Sequence, residues 1–414
     1  MSLQKLKPGL TKVLGELEAA GTLKGRETVI TAVLPAAGDR GPRYTVAGEG
    51  DKQYLRMNAN NYLGMSGRPE VIAAEEAATM RFGAGPGAVR FISGTYSPHL
   101  ELEAALAEFH GREAAMIFSS AYAAVMGVLS PLISPETVVI SDELNHNCII
   151  NAIALSRPLA KRVYKHNDMA ALEQSLKEAA GTEGVRRALV VTDGIFSMRG
   201  DHAPLKELAG LAEKYEAEFA EGVITVVDDS HGVGAFGGRG RGTLEYTGEN
   251  RIDVLIATLG KALGVNGGYV TSDSEVIAYL REKAPFYIYS NPITCSEAAA
   301  AREALRILDS PEGVKLLEHL RAMTARFEAG LVELGFEVIQ GEHPVVPLVL
   351  RDTPRTRELT AYLKERGILA TGLSFPVVPR GDEEIRFQVC ADHTAADIDY
   401  ALGVLRSYQE EHPA

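Results

Sequence analysis

Six short apolar runs, AAMIFSS, TVVIS, RALVVTDG, GVITVVDD, VLIATLG and GGYVTS, recur between residues 114 and 272, with helix-forming stretches such as MAALEQSLKEAAG between them. The runs are apolar throughout instead of alternating with polar residues, which is the pattern of strands covered on both faces. Strands that alternate with helices build a mostly parallel sheet with helices on its two sides, so the expected fold class is α/β. Open sheets of this type bind ligands at the carboxyl ends of their strands. The residues that follow each run are therefore where chemistry is expected.

The run at 223–227 is followed by Asp228 and His231, and TLGKALG places Thr258 and Lys261 at the end of another run. A carboxylate at a strand end is suited to keep a heterocyclic nitrogen protonated, and a lysine amine is suited to form a Schiff base. Neither is specific alone: an aspartate pair often caps a loop, and a lysine after glycine is usually solvated. GAGPGAV at 83–89 follows a helical run where a dinucleotide loop would follow a strand. GGRGRG at 237–242 fails the same test, and neither stretch ends in Gly-Lys-Ser or Gly-Lys-Thr.

Further phrases surround these two. NANNYLGM, VRFISGT, HLELEAALAEFHG, ISDELNHNCII, VTDGIFSMRGD, VDDSHGVG, TLGKALG, FYIYSN and FPVVPRG occur in order from Asn58 to Gly381. On these phrases together the chain resembles the α-oxoamine synthase family of fold type I pyridoxal phosphate (PLP) enzymes, nearest its glycine C-acetyltransferase branch. The resemblance implies an aspartate aminotransferase-like fold. It has an N-terminal helix and β arm over 1–55, a large, mostly parallel sheet domain over 56–298, and a smaller C-terminal α/β domain over 299–414. The smaller domain is expected to hold the strands EVIQG, VVPLVL and IRFQVC.

The same resemblance implies a set of roles. Lys261 binds the cofactor covalently and serves as the base, Asp228 pairs with the ring nitrogen, His146 stacks on the ring, and His231 and Ser197 reach its phenolic oxygen. Ser120, Ala121, Tyr122 and Thr258 receive the phosphate, with Ser290 supplied by the neighbouring subunit of a homodimer whose active sites are shared. Arg386, a planar guanidinium suited to a carboxylate, holds the amino-acid substrate with the help of Asn60. Blander readings stand beside these: Ser119 and Ser120 as helix caps, Ser197 and Asn60 or Asn61 as turn residues, and His231 as a partner for Asp228.

The implied reaction condenses glycine with acetyl-CoA to give a 2-amino-3-oxo acid and CoA. The alternative is a decarboxylating synthase, of the 8-amino-7-oxononanoate synthase or serine palmitoyltransferase type, using another amino acid or a longer acyl-CoA. An aminotransferase and an inactive partner subunit are the remaining readings, and Lys261 argues against the second. The chain departs from the family pattern at Pro86-Gly87-Ala88, at Val125, at Asn147-Cys148 after His146, at Arg199, and in an extra EFAEG before the Asp228 strand. These departures surround the site without removing a cofactor group, so they bear on the substrate.

Composition narrows the setting. With 42 basic against 55 acidic residues the net charge is -13, which disfavours nucleic acid as a partner. MSLQKLKPGLTKVLGELEAAG reads as an amphipathic helix with no secretory apolar core, and no apolar run approaches the ~18 residues of a membrane span. A soluble, cytoplasmic protein is expected. Cys148, Cys295 and Cys390 show no paired spacing, so neither a disulfide framework nor a metal site is expected.

Overall fold

The computed structural model describes residues 2–20, 22–23, 27–375 and 377–412; Pro376 of the FPVVPRG phrase lies outside the described residues. Seven strands form the large sheet: β1 (Ala114–Phe118), β2 (Thr137–Asp142), β3 (Ala160–Tyr164), β4 (Arg187–Asp193), β5 (Val223–Asp228), β6 (Val254–Thr258) and β7 (Gly268–Ser272). Their order across the sheet is β1-β7-β6-β5-β4-β2-β3. The neighbours from β3 to β6 are parallel. Only β7 is reversed, antiparallel to both β6 and β1.

The side-chain alternation of a strand explains why these runs are apolar throughout. Val139, Leu189, Val191 and Val226 enter one buried cluster together with Ala124, Val128 and Ile149 from the helices Ala121–Leu132 and Asn147–Ser156. Their chain neighbours Val138, Ile140, Val190 and Val227 enter another with Leu172, Leu176 and Leu208 from the helices Met169–Ala180 and Leu205–Tyr215. β3 was absent from the expected strands for a physical reason. It is an edge strand, its side chains alternate between exposed and covered, and AKRVY offers no continuous apolar run.

A second sheet, wholly antiparallel, joins Glu337–Val338, Val345–Val349, Glu384–Gln388 and Thr371–Leu373 in that order. The N-terminal side of the chain returns to it. Leu55–Arg56 pairs in parallel with Ile368–Leu369, and the amides of Gln388 and Ala391 donate to the carbonyls of Met57 (2.9 Å) and Tyr62 (2.8 Å). Residues 55–62 therefore run between the large sheet and the C-terminal strands. The first helix, Ser2–Ala19, is exposed along its length, with Leu3, Leu6, Leu10, Val13 and Leu17 all open to solvent.

One glycine fixes how the large sheet meets its first helix. A Cβ on Gly268, the first residue of β7, would lie 2.4 Å from the backbone of Ala121, at the start of the helix after β1. Gly268→Ala is expected to lower stability by about 1–3 kcal/mol, the usual cost of overpacking against rigid backbone, as measured by denaturant unfolding.

Candidate active site

The carboxyl ends of β4 and β5 deliver two carboxylates to one cavity. Asp193 and Asp228 are register partners on these neighbouring strands, and both line a cavity that also includes His146, Cys148, His231 and Lys261. Burial, reinforced by the charge of Asp228, pushes Asp193 well above the usual carboxylate range. Like charges so close need a counter-charge. Lys261 supplies it: burial lowers the amine to about 8, against the opposing pull of Asp228 and Asp193. An amine at that value has a substantial neutral fraction near neutral pH, as attack on a carbonyl carbon requires.

Lys261 sits in the turn between β6 and β7. The amides of Leu259 and Gly264 donate to the carbonyls of Gly267 and Lys261, each at 3.0 Å. Gly264 has φ 71°, and a Cβ there would meet the Ser66 nitrogen at 2.4 Å, so glycine is required. Thr258 braces the same turn, its hydroxyl donating to the Gly267 carbonyl (3.2 Å) and accepting from the Gly260 amide (3.0 Å).

The two adjacent aspartates differ sharply. Asp228 accepts from the Ser230 amide (3.1 Å) and from the Cys148 thiol (3.8 Å), and it faces the cavity. Asp229 accepts from both the amide and the hydroxyl of Thr243 at 2.6 Å, and a Cβ on Gly232 or Gly242 would come within 2.1 or 1.9 Å of its oxygens. Burial raises Asp229 to about 7, with the Thr243 hydrogen bonds opposing. Its role is to hold the loop.

His146 caps the helix Asn147–Ser156, and its own amide donates to Asp193 Oδ2 at 2.8 Å. Its Nδ1 accepts from the Cys148 amide (3.3 Å), with the thiol 2.9 Å away, which leaves the ring proton on Nε2. Burial lowers its pKa, with Asp228 opposing, so the ring is held toward the neutral form. His231 is pushed well below its usual range by burial and then by Lys261. Its Nδ1 shares a 2.8 Å hydrogen bond with the Tyr62 hydroxyl.

At the start of the helix Ala121–Leu132, the Ser120 hydroxyl acts as the cap, accepting from the Ala123 amide at 3.1 Å. The first amides of a helix lack intrahelical partners and favour anions, and Ala121 and Tyr122 line the cavity there. Tyr122 donates its hydroxyl to Asn147 at 3.3 Å. Ser290 is half-buried, donates to the Asn291 carbonyl (3.4 Å), and is not part of the cavity wall. Ser197 does line the cavity, and its carbonyl accepts from Arg386 at 3.1 Å. Asn60 Oδ1 accepts from Gln388 (2.5 Å) and from Tyr62 (3.4 Å).

Two buried polar atoms, Ser230 Oγ in the cavity wall and Arg386 Nε beside Ser197, have no partner among the described residues. With a strand-end carboxylate, a neutral imidazole, an amine and an open helix N-terminus, the donor set suits a ligand that carries a basic ring nitrogen, a carbonyl and a phosphate. Pyridoxal phosphate has all three. Among the described residues no group of His, Cys, Asp and Glu is arranged to hold a metal ion. Asp193, Cys148, Ser230 and Tyr62 were not among the expected site residues. A signal for Asp193 was present, since VVTD ends β4 as VVD ends β5; Tyr62 reaches His231 only through tertiary packing.

The contrast between the aspartates predicts different losses. Asp229→Ala should cost about 1–3 kcal/mol for each Thr243 donor it orphans, read as a lowered unfolding midpoint. Asp228→Asn should unfold at the wild-type midpoint while losing most turnover.

Comparisons with known proteins agree with this geometry. Residues 52–405 match the family model for aminotransferase class I and II. An 8-amino-7-oxononanoate synthase from Exiguobacterium sibiricum is 40% identical over 96% of this chain and 97% of its own length. The mitochondrial 2-amino-3-ketobutyrate coenzyme A ligase of Bos taurus is also 40% identical, over 96% and 91%. A solved SPT with its PLP internal aldimine superposes with TM-score 0.85 at 28% identity, covering 97% of both chains. The chain thus belongs to the α-oxoamine synthases, PLP-dependent acyltransferases of fold type I within the class I and II aminotransferase family.

Proposed function

We propose that this α-oxoamine synthase condenses a small α-amino acid with an acyl-CoA whose acyl group is longer than acetyl, losing the amino acid's carboxylate as carbon dioxide. The observation that carries this reading is a cleft, apolar over most of its wall and edged by Arg199, Glu337, Arg351, Asp382 and Glu384, that shares Ser197 with the cofactor cavity. Its wall includes Leu144, Phe196, Met198, Ile339, Val349 and Val378, enough aliphatic surface to house a methylene chain. The relative named 8-amino-7-oxononanoate synthase supports the same reading. The glycine and acetyl-CoA reading that the sequence phrases favoured becomes the second one, supported by the relative named 2-amino-3-ketobutyrate coenzyme A ligase.

In either reading the residues divide the work. Bound in this cavity, pyridoxal phosphate supplies an electron sink for the charge that develops at Cα. Asp228 holds the proton on the ring nitrogen, His146 covers the ring face, and His231 and Ser197 serve the phenolic oxygen. The amides at Ala121 and Tyr122, together with Ser120 and Thr258, serve the phosphate. Arg386 holds the amino acid's carboxylate with Asn60 beside it, and Lys261 Nζ takes the Cα proton. The Cα carbon then adds to the thioester carbonyl carbon, the C–S bond breaks, and CoA leaves as a thiolate that takes up a proton; in the first reading the bond from Cα to the carboxylate then breaks, carbon dioxide leaves, and a proton takes its place at Cα.

The working unit in this proposal is a cytoplasmic homodimer with shared sites. Exposed apolar residues support it: the stripe on Ser2–Ala19, Phe91 and Ile92 at 66% and 67% exposure, and Tyr289 at 78% beside Ser290. No helix among the described residues is long and apolar enough to cross a membrane.

A panel of acyl-CoAs from two to ten carbons, offered with glycine, alanine and serine, tests the substrate. Highest kcat/KM at six carbons or more, with carbon dioxide released, is the expected result; a maximum at acetyl-CoA without decarboxylation favours the second reading. For the assembly, inactive Lys261→Ala chains mixed with inactive Ser290→Trp chains should regain activity through one intact site per mixed dimer. A mixture that stays inactive although mixed dimers form would remove the shared site.

A further inference from the structure

Outside the cofactor cavity, His166 is bound on both ring nitrogens by carboxylates from two different loops. Nδ1 lies 3.2 Å from Asp142 Oδ1 and Nε2 lies 3.0 Å from Asp201 Oδ2. Asp142 closes β2, and its carboxylate also takes the amides of Leu144 (2.8 Å) and Asn167 (2.9 Å). It thereby shapes the short loop that ends in His146. Asp201 belongs to the loop after β4, where its carbonyl accepts from the Phe196 amide at 2.9 Å and its Oδ2 accepts from Arg199 Nε at 3.0 Å. That loop presents Ser197. The His166 ring also packs edge-on against Phe196, centroid to centroid 4.4 Å, and Asn167 donates to the His202 carbonyl at 3.1 Å.

The bridge is sheltered on the Asp142 side and partly open at Asp201. The His166 side chain is only 15% exposed and that of Asp142 is fully buried. Other charged groups facing it are Arg199 on the Asp201 loop, and Glu143 and Lys165, which pair with each other at 2.9 Å. Glu143 also accepts from the His166 backbone amide at 3.1 Å. A ring that binds carboxylates through both nitrogens carries both protons. Neither carboxylate lines the cofactor cavity, so the bridge acts on that site only through the loops it joins.

We infer that His166 is a positioning residue: by holding Asp142 and Asp201 together it fixes the spacing between the loop that presents His146 and the loop that presents Ser197. The inference rests on the proposed roles of His146 and Ser197 at the cofactor. Burial opposes the charged ring, but its hydrogen bonds to Asp142 and Asp201 outweigh it and raise His166 to about 9. Because the folded value lies above the ordinary 6.5, the bridge contributes fully below about pH 6.5 and is lost as pH rises through about 9. Both loops should loosen together over that upper window.

Hydrogen exchange of the full-length holoenzyme tests this without reference to turnover, so it stands or fails separately from the acyltransferase proposal. Protection factors over 143–148 and 194–203 in the wild type should fall together between pH 8 and 10. In His166→Gln they should already be about tenfold lower at pH 7, with cofactor bound about tenfold more weakly. In His166→Arg, whose charge persists at high pH, both loops should stay protected through pH 10 and cofactor affinity should return. The helix Met169–Ala180 serves as the internal control and should not respond. Should His166→Gln fail to fold, Asp201→Asn removes one arm of the bridge and should lower protection of both loops. Wild-type protection and cofactor affinity in His166→Gln, or loosening of one loop alone, overturns the inference.

Discussion

Two carboxylates end neighbouring parallel strands in register, and a single amine answers them. The pairing of Asp193 with Asp228 opposite Lys261 is the constraint on which the rest of the site depends. Burial, reinforced by the charge of Asp228, drives Asp193 toward protonation, and burial drives Lys261 toward neutrality. Placed together, each keeps the other closer to the charged form, at the price of stability that the surrounding sheet supplies. The antiparallel β7 contributes by geometry. Reversing the chain directly after β6 puts Lys261 in a braced turn, where a parallel crossover would have carried it off on a helix.

The sequence made the large sheet legible because its strands are buried on both faces and so are written as unbroken apolar runs. β3 broke that rule by lying at an edge. The candidate site was legible where residues follow such runs directly, as Asp228, His231, Thr258 and Lys261 do. It was illegible where partners meet only in three dimensions. Nothing in ANNY announces that Tyr62 will touch His231, and nothing in KHND announces that His166 will join Asp142 to Asp201. Adjacent Asp228 and Asp229 look alike in the sequence, and the Thr243 hydrogen bonds and the glycines packed around the second show that it is structural.

The substitution of Asn147-Cys148 after His146 also acquires a physical meaning. Burial, reinforced by Asp228, pushes the Cys148 thiol far up, so it stays protonated and donates to Asp228 beside the His146 ring. In the proposed role of Lys261, a thiolate here would compete with it for the same carbonyl. Its protonated form lets a sulfur atom stand inside the cavity without interfering.

The stretch from Asn60 to Tyr62 touches both halves of the molecule. Asn60 is bound to Gln388 in the second sheet, while Tyr62 is bound to His231 beside the first. Three residues of chain thus act as a lever with one end at each sheet. Its two ends hold a residue at each sheet by a hydrogen bond, so the spacing between Gln388 and His231 is set by this short stretch of chain.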